Sequence, residues 1–487
     1  LKYYIMSITE NPQNAYAHSN RGNIYYKLKQ YDQAFQDYHN ALKLNPNLEK
    51  AHNNIGLLYK EKNNFDKAIE SFSKALEINP QFTEGYNNRG IAFEAKKEFD
   101  EALQDFNRAI QVDTTYALAY FNKAHVYSTT KEYQKALVEI NKAIKLEPNQ
   151  AKNYNLRGII YHDLHDFAQA IKNYSHAITL DENSVQAYKN RARLYTMFNQ
   201  YTLALNDLNK LRDINEHDVE VYVNRALLYI EQKMYSEAFN DINKAIELNP
   251  NIATAYSYRG RIYQEKGDIE KATSNFDKAI QIDPENPQAY FSRGLFYVNY
   301  QKYEEALKSF DKALELNPEL VVVYCTRASL LYSVMQKFDE ALKNINQAIQ
   351  LDPQFPIAYK IRASIYEAKK EYDKAIENYN KAIELNPNDS MLYFDRGSCY
   401  AQQRNINQAI KDYKQVTVSI LDEFSEYIPR SYYLISCLYA LNKETDKVLK
   451  YLQKAIEIAP QEYKLLSIQT PYFKYLNDNA QYLKLIL

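Results

Sequence analysis

Apolar and polar positions along this chain follow a helical rhythm that restarts every 34 residues. Proline marks the phase at Pro12, Pro46, Pro80, Pro148, Pro250, Pro284, Pro318, Pro353 and Pro387, allowing whole multiples and one inserted residue. Counting each unit from three residues past that proline, positions four and eleven are nearly always aromatic, as in Tyr188 with Tyr195 or Tyr222 with Tyr229. Position eight holds only the smallest side chains: Gly22, Gly56, Gly90, Ala124, Gly158, Ala192, Ala226, Gly260, Gly294, Ala328, Ala363 and Gly397. Alanine follows at position 20, from Ala34 through Ala409, and usually again at position 27, as at Ala41, Ala75 and Ala109. Spacings of three, four and seven place these residues on one stripe of an α-helix. Each unit therefore reads as two short antiparallel helices whose backbones approach closely at the small residues. The chain reads as an all-α solenoid of stacked helix-turn-helix units.

This order of aromatic, small residue, tyrosine, two alanines and proline resembles the tetratricopeptide repeat. Seven of the nine glycines and ten of the fourteen prolines fall in register. One departure is the family's frequent Trp at position four, which is Tyr or His in a chain without Trp. The resemblance implies a right-handed superhelix whose concave groove binds other proteins. It divides the chain into the second helix of a truncated repeat (1–14), twelve units (15–428), a thirteenth (429–462) and C-terminal capping helices (463–487). One extra residue falls near Val334 and Met335, at the turn of the tenth unit, and the twelfth unit (390–428) is about five residues long beyond the repeat. The capping segment is expected to cover the last apolar face with Leu465, Leu466, Phe473, Leu476, Leu483 and Ile486. At the other end Tyr4, Ile5 and Ile8 give no polar outer face, which reads as a piece of a longer polypeptide.

Length agrees with an array, because 487 residues exceed what one hydrophobic core usually organises, whereas stacked units contact only their neighbours. Sixty basic and 61 acidic side chains are interspersed for a formal charge of −1, so nothing draws the chain to nucleic acid or an anionic membrane. Cys325, Cys399 and Cys437 lie far apart in helical segments, which fits a reducing, cytoplasmic compartment. No run reaches the length of apolar residues that a membrane span needs. Abundant Asn, Lys, Ile and Tyr resemble the composition of ciliate proteins, from which a ciliary or cytoskeletal association is expected.

Positions two, six, nine and thirteen lie opposite the core stripe of the first helix. Position six carries Asn20, Asn54, Asn88, Asn122, Asn190 and Asn224, with Leu156 between, and then changes to Tyr258, Ser292, Thr326, Ile361 and Asp395. An amide offers donor and acceptor together, so a ladder of them suits the backbone of an extended peptide. This resembles the asparagine ladder of the repeat domain in O-linked N-acetylglucosamine transferases; the plain alternative is that Asn is common on solvated faces. A second ladder at position seven, including Arg21, Arg89, Arg157, Arg191, Arg225 and Arg396, changes together with position 23. Asp37, Asp105, Asp207, Asp241 and Asp412 accompany Arg, whereas Ile55 accompanies Ser71. A structural contact is expected, with Arg225→Leu costing stability. The family's carboxylate clamp is incomplete: Asn23 and Asn54 fit, but Glu84 and Asn88 stand where cations are needed, and Lys189 with Asn224 is joined by Arg193, Thr254 and Tyr258.

Glycines committed to helix contacts leave no phosphate loop. His162, His165 and His176 have a possible ligand spacing but read as a polar helix end, so no metal, cofactor or catalytic constellation is expected. The reading is a scaffold or adaptor that takes peptide segments or helices of partner proteins in its groove, within a larger assembly. The alternative is the substrate-recruiting region of an enzyme such as a glycosyltransferase, with its catalytic domain elsewhere.

Overall fold

The turn inside each unit sets the antiparallel pairing of its helices. In the first unit, helices Ala15–Lys27 and Tyr31–Leu44 are joined where Gln30 N–H donates to Tyr25 O and Lys29 N–H to Tyr26 O, both at 2.9 Å. These are the paired bonds of a Schellman ending, which need a left-handed residue between the helices. That residue is Lys29 (φ 59°), Asn63 (φ 55°), Lys131 (φ 63°) and their equivalents, and it is glycine only at Gly267 (φ 74°). In the tenth unit the extra residue sits in this turn: the left-handed place moves to Gln336, and Lys337 N–H reaches back to Leu331 O at 2.8 Å.

The turn between units is an Asx-proline corner. Asn45 ends its helix in an extended conformation (φ −141°, ψ 98°), as the residue before Pro46 must, and its side chain accepts Asn47 N–H at 3.0 Å. The position-four ring of the next helix reaches back to the same corner. His52 Nε2 lies 3.0 Å from Pro46 O, and the Tyr359 and Tyr393 hydroxyls donate to Pro353 O and Pro387 O at 3.2 Å. The polar tips of Tyr and His thus tie these units to the preceding corner, as do those of His18, Tyr120 and Tyr222.

A computed structural model describes residues 1–418 and 426–486 of the protein. Among these there is helix and no strand, in tandem helix-turn-helix order: an all-α solenoid. The added length expected in the twelfth unit falls largely on 419–425, outside the described residues. The chain forms two compact bodies, Leu1–Leu248 and Asn249–Leu487.

Within each body the core repeats one contact. The small residue at position eight faces the side chain at position 24. A Cβ added at Gly22 would lie 2.7 Å from the Tyr38 ring, and one at Gly294 only 2.4 Å from that of Phe310. Where position eight is Ala124, Ala192, Ala226 or Ala328, its partner is the slimmer Ile140, Leu208, Ile242 or Ile345; Ala363 against Tyr379 is the exception. The alanines of position 20 are fully buried from Ala34 to Ala409.

At the ends, helix Lys2–Glu10 precedes the first unit, and helix Pro460–Gln469, the 3-10 turn Pro471–Leu476 and helix Ala480–Ile486 follow the thirteenth. Phe473, Leu476 and Tyr482 close over Val448, Leu452 and Ala455. Leu465 and Leu483, expected in this cap, are exposed instead. Tyr463 and Ser467, four apart, take the inward face of their helix, which turns Leu465 outward, and Tyr482 fills the place beside Leu483.

Candidate functional site

Consecutive first helices touch, as Glu49–Glu61 touches Thr83–Ala95 in the first body and Val321–Ser333 touches Pro356–Ala368 in the second. Within each body the first helices therefore form the closer-set, inner face. What lines it follows from which positions the hairpin has already used.

Position seven is used inside the wall. The guanidinium of Arg21 grips Asp37 with two bonds of 2.7 Å, and Arg89, Arg191 and Arg396 grip Asp105, Asp207 and Asp412 in the same forked way at 2.6–2.9 Å. Arg157, Arg259 and Arg362 donate to Asn173, Asn275 and Asn378 instead. The remaining nitrogen crosses to the preceding unit: Arg89 reaches Ser73, Arg191 reaches Ser175 and Arg396 reaches Asn380, at 2.6–3.0 Å. Arg89, Arg191 and Arg396 thus each hold two hairpins together, and the guanidinium groups of this ladder are turned to partners inside the wall. In the fourth unit Lys123 with Glu139 makes the same contact at 3.1 Å. Burial raises the Asp105 carboxyl despite Arg89, which marks how far these pairs are withdrawn from water.

The six asparagines of position six divide. Asn54 donates to Asn23 Oδ1 at 2.7 Å, Asn88 to Asn53 at 3.0 Å, Asn122 to Asn87 at 2.7 Å and Asn190 to Asn155 at 3.0 Å. Each is an amide of one unit bonded to an amide of the unit before, so one donor is spent within the protein; the half-buried Asn88 and Asn190 keep their carbonyl oxygens free among the described residues, whereas Asn122 is buried. Asn54 also accepts from Asn53 at 3.4 Å. Asn20 and Asn224 make no side-chain hydrogen bond among the described residues, and Asn224 is exposed. Of the partners, Asn23 was singled out from the sequence only for the carboxylate clamp, and Asn53, Asn87 and Asn155 were not singled out. Their signal is an asparagine at position five or nine of the preceding unit, 31 or 35 residues upstream.

The sixth unit interrupts this lining with a cavity of about 910 Å³. Its walls carry Asn190, Arg193, Thr196 and Met197 from one first helix, Glu220, Asn224 and Leu227 from the next, and, from the preceding unit, His162 at the end of its first helix and His165 in the turn that follows. Leu208 and Leu211 line it too, Leu211 standing where neighbouring units have Ala177 and Ala245. Lys189 is held by Asp218 (3.3 Å) and Glu220 (2.6 Å), which removes it from the partial clamp. Arg193 is exposed and makes no hydrogen bond or ion pair among the described residues. The cavity thus offers one free cation, open amides and an apolar floor.

In the second body the same inner positions have other chemistry. Position two is apolar and exposed in three successive units, at Val322, Ile357 and Met391. Asp395, at position six, has its carboxyl pushed up to about 6, chiefly by burial, with Lys360 opposing and Glu367 and Asp389 adding to the rise. Glu367 is raised by burial as well and accepts the Tyr379 hydroxyl at 2.9 Å.

Cys325, Cys399 and Cys437 are buried free thiols, and burial pushes Cys325 and Cys437 up to about 12, far from a reactive thiolate. His162 pairs with Asp163 at 3.0 Å and His176 packs on Tyr154; among the described residues no group of three His, Cys, Asp or Glu could hold a metal ion. No described helix is long and apolar enough to cross a membrane.

Family models described as tetratricopeptide repeat match residues 15–48, 49–82, 83–116, 219–252, 287–320 and 356–389, with related ones at 260–301, at 242–273 and 378–411, and at 117–150, 151–184, 322–355 and 429–462. Together they span well over half of the chain. No curated protein matches it. Among solved structures, yeast Tom70 is 19% identical with a TM-score of 0.48, over 90% of this chain and 99% of that one. The Cut9 and Hcn1 hetero-tetramer of the APC/C gives 13% and 0.44 over 96% and 98%. YrrB, titled a TPR protein with an unusual peptide-binding site, gives 21% and 0.32 over 38% and 96%.

Proposed function

Because the chain belongs to the tetratricopeptide repeat family, we propose that it is a scaffold that binds segments of partner proteins on the inner faces of its two bodies. The observation that carries this is the cavity of the sixth unit, where Arg193 and Asn224 stand unpaired beside the apolar Met197 and Leu227. An extended segment lying along the first helices meets the amides in order: Asn20, Asn54, Asn88, Asn122, Asn190 and Asn224. Asn88 and Asn190 present a carbonyl to the ligand's N–H groups, and Asn20 and Asn224 present both halves of the amide. Each such bond contributes about 0.5–1.5 kcal/mol net, so affinity comes from several acting together on a pre-ordered wall. Arg193 favours a carboxylate in the segment. A binding role, with the protein as one member of a larger cytoplasmic assembly, is part of the same reading; a ciliary or cytoskeletal setting rests on composition alone.

The test is selection of extended peptides from a displayed library on the full chain, followed by calorimetry of the winners with Arg193→Ala and Asn224→Ala. Both side chains are exposed, so thermal unfolding stays unchanged while affinity falls about tenfold, or 1.4 kcal/mol, for the pair together. Equal affinity for the wild type and the double variant would overturn the proposal.

A further inference from the structure

The second body's inner face carries a feature that the amide ladder does not explain. Val322, Ile357 and Met391 are 50%, 51% and 36% exposed, at the same place in three consecutive units, and Leu295 on the ninth unit's first helix adds another exposed apolar group. Their neighbourhood is fixed by contact: Lys360 Nζ lies 4.0 Å from Met391 Sδ, a position-five to position-two contact across units. Beside the stripe lies Asp395, which has no hydrogen bond and no ion pair within 4 Å among the described residues. Glu367, one helix back, is half-buried, and the hydroxyl of Tyr379 answers only part of its charge.

We propose that this stripe is the docking site of an amphipathic helix of a partner protein, bearing one apolar residue per heptad and a Lys or Arg that reaches Asp395. This deepens the reading above and rests on it. Spacing selects the helix. Packed helices stand about 8–10 Å apart, so residues at one position of successive units recur at about that interval. A helix returns to the same face after seven residues, about 10.5 Å along its axis. The side chains of a β-extended chain return to one face every second residue, at about 6.6 Å or 13 Å, and miss the interval of an apolar stripe; contacts to backbone groups, as proposed for the first body, carry no such side-chain register. Charge selects the sign. A carboxylate on a partly dry face with only Lys360 nearby gains most from a second cation, and that cation's own desolvation is offset by Asp395 and Glu367 together.

The experiment uses the full chain and a displayed library of three-heptad peptides randomised between apolar, acidic and basic residues, with a second library of proline-rich peptides that repeat every third residue. Enriched peptides are expected to share an apolar seven-residue spacing with a flanking Lys or Arg. Their affinity should fall about tenfold or more with Ile357→Lys and, separately, with Val322→Lys. Both positions are exposed, and thermal unfolding of each variant checks that the fold is kept. Asp395→Asn should erase the preference for the basic residue over glutamine in the enriched peptide. Enrichment only of proline-rich peptides, no enrichment, or binding indifferent to both Lys variants overturns the proposal. If extended peptides still bind through Arg193 and Asn224, the helix site alone has failed and the reading of the first body stands.

Discussion

The two bodies are built from one hairpin and differ on one face. In both, position eight gives way to the ring or aliphatic chain at position 24, position 20 is a buried alanine, and position seven pins the second helix. On the inner face they part: the first body bonds Asn54, Asn88, Asn122 and Asn190 to amides of the preceding unit, whereas the second shows Val322, Ile357 and Met391 to water. What repeats is what holds the wall together, and recognition lies where the repeat is allowed to drift. Substitutions at repeated positions should therefore act alike in the two bodies, and those at drifting positions should not.

The largest effect belongs to the pinning arginine. Arg191→Leu leaves Asp207 buried and unpaired, and Arg396→Leu does the same to Asp412. Each should cost about 3–5 kcal/mol in its own body, followed by denaturant unfolding with hydrogen exchange to locate the loss. Removing both partners together, as in Arg191→Leu with Asp207→Leu, should restore most of it. If the two bodies respond by very different amounts, the claim of a shared wall is wrong.

A smaller and unequal effect is expected at position six. Asn122→Ala leaves the buried Asn87 oxygen without its donor and should cost about 1–3 kcal/mol. Ser292→Ala, the equivalent change in the second body, should stay within about 0.5 kcal/mol by the same measurement. Equal costs would show that the amides are not what sets the first body's inner face apart.

The smallest effect is a pH dependence, to which Asp395 contributes in the second body and Asp241, pushed up to about 6 by burial against the opposing Arg225, contributes in the first. Asp395 is raised from 3.8 to about 6, so the folded state holds its proton more tightly than the unfolded chain does. Stability from this group is complete below pH 3.8 and is lost as pH rises through about 6. Lys360, Glu367, Asp389 and Tyr379 surround it. Asp395→Asn should reduce the slope of unfolding midpoints between pH 4 and 6 relative to the wild type, leaving the share of Asp241; an unchanged slope would contradict the role of Asp395.

The wall was legible in the sequence because each of its contacts is written again in every unit. The small residue at position eight and the joint change of positions seven and 23 needed no coordinates; Ile55 against Ser71 already broke the Arg–Asp pairing in step. Three things were not legible. The left-handed turn is occupied by Lys29, Asn63 or His165, which carry no glycine signal, since the Schellman bonds impose that geometry on whatever residue is there. The Asn54–Asn23 and Asn88–Asn53 bonds use partners at different positions, so no single spacing reveals them. The cavity of the sixth unit depends on the depth reached by Leu208 and Leu211, which periodicity does not report.

The central claim is that the two inner faces take different kinds of segment, and it is tested most directly by calorimetry with both selected peptides on one sample. Saturation with the extended peptide should leave the affinity and stoichiometry of the helical peptide unchanged, with Arg193→Ala weakening only the first and Ile357→Lys only the second. Mutual displacement, or a single variant that abolishes both, would contradict the account.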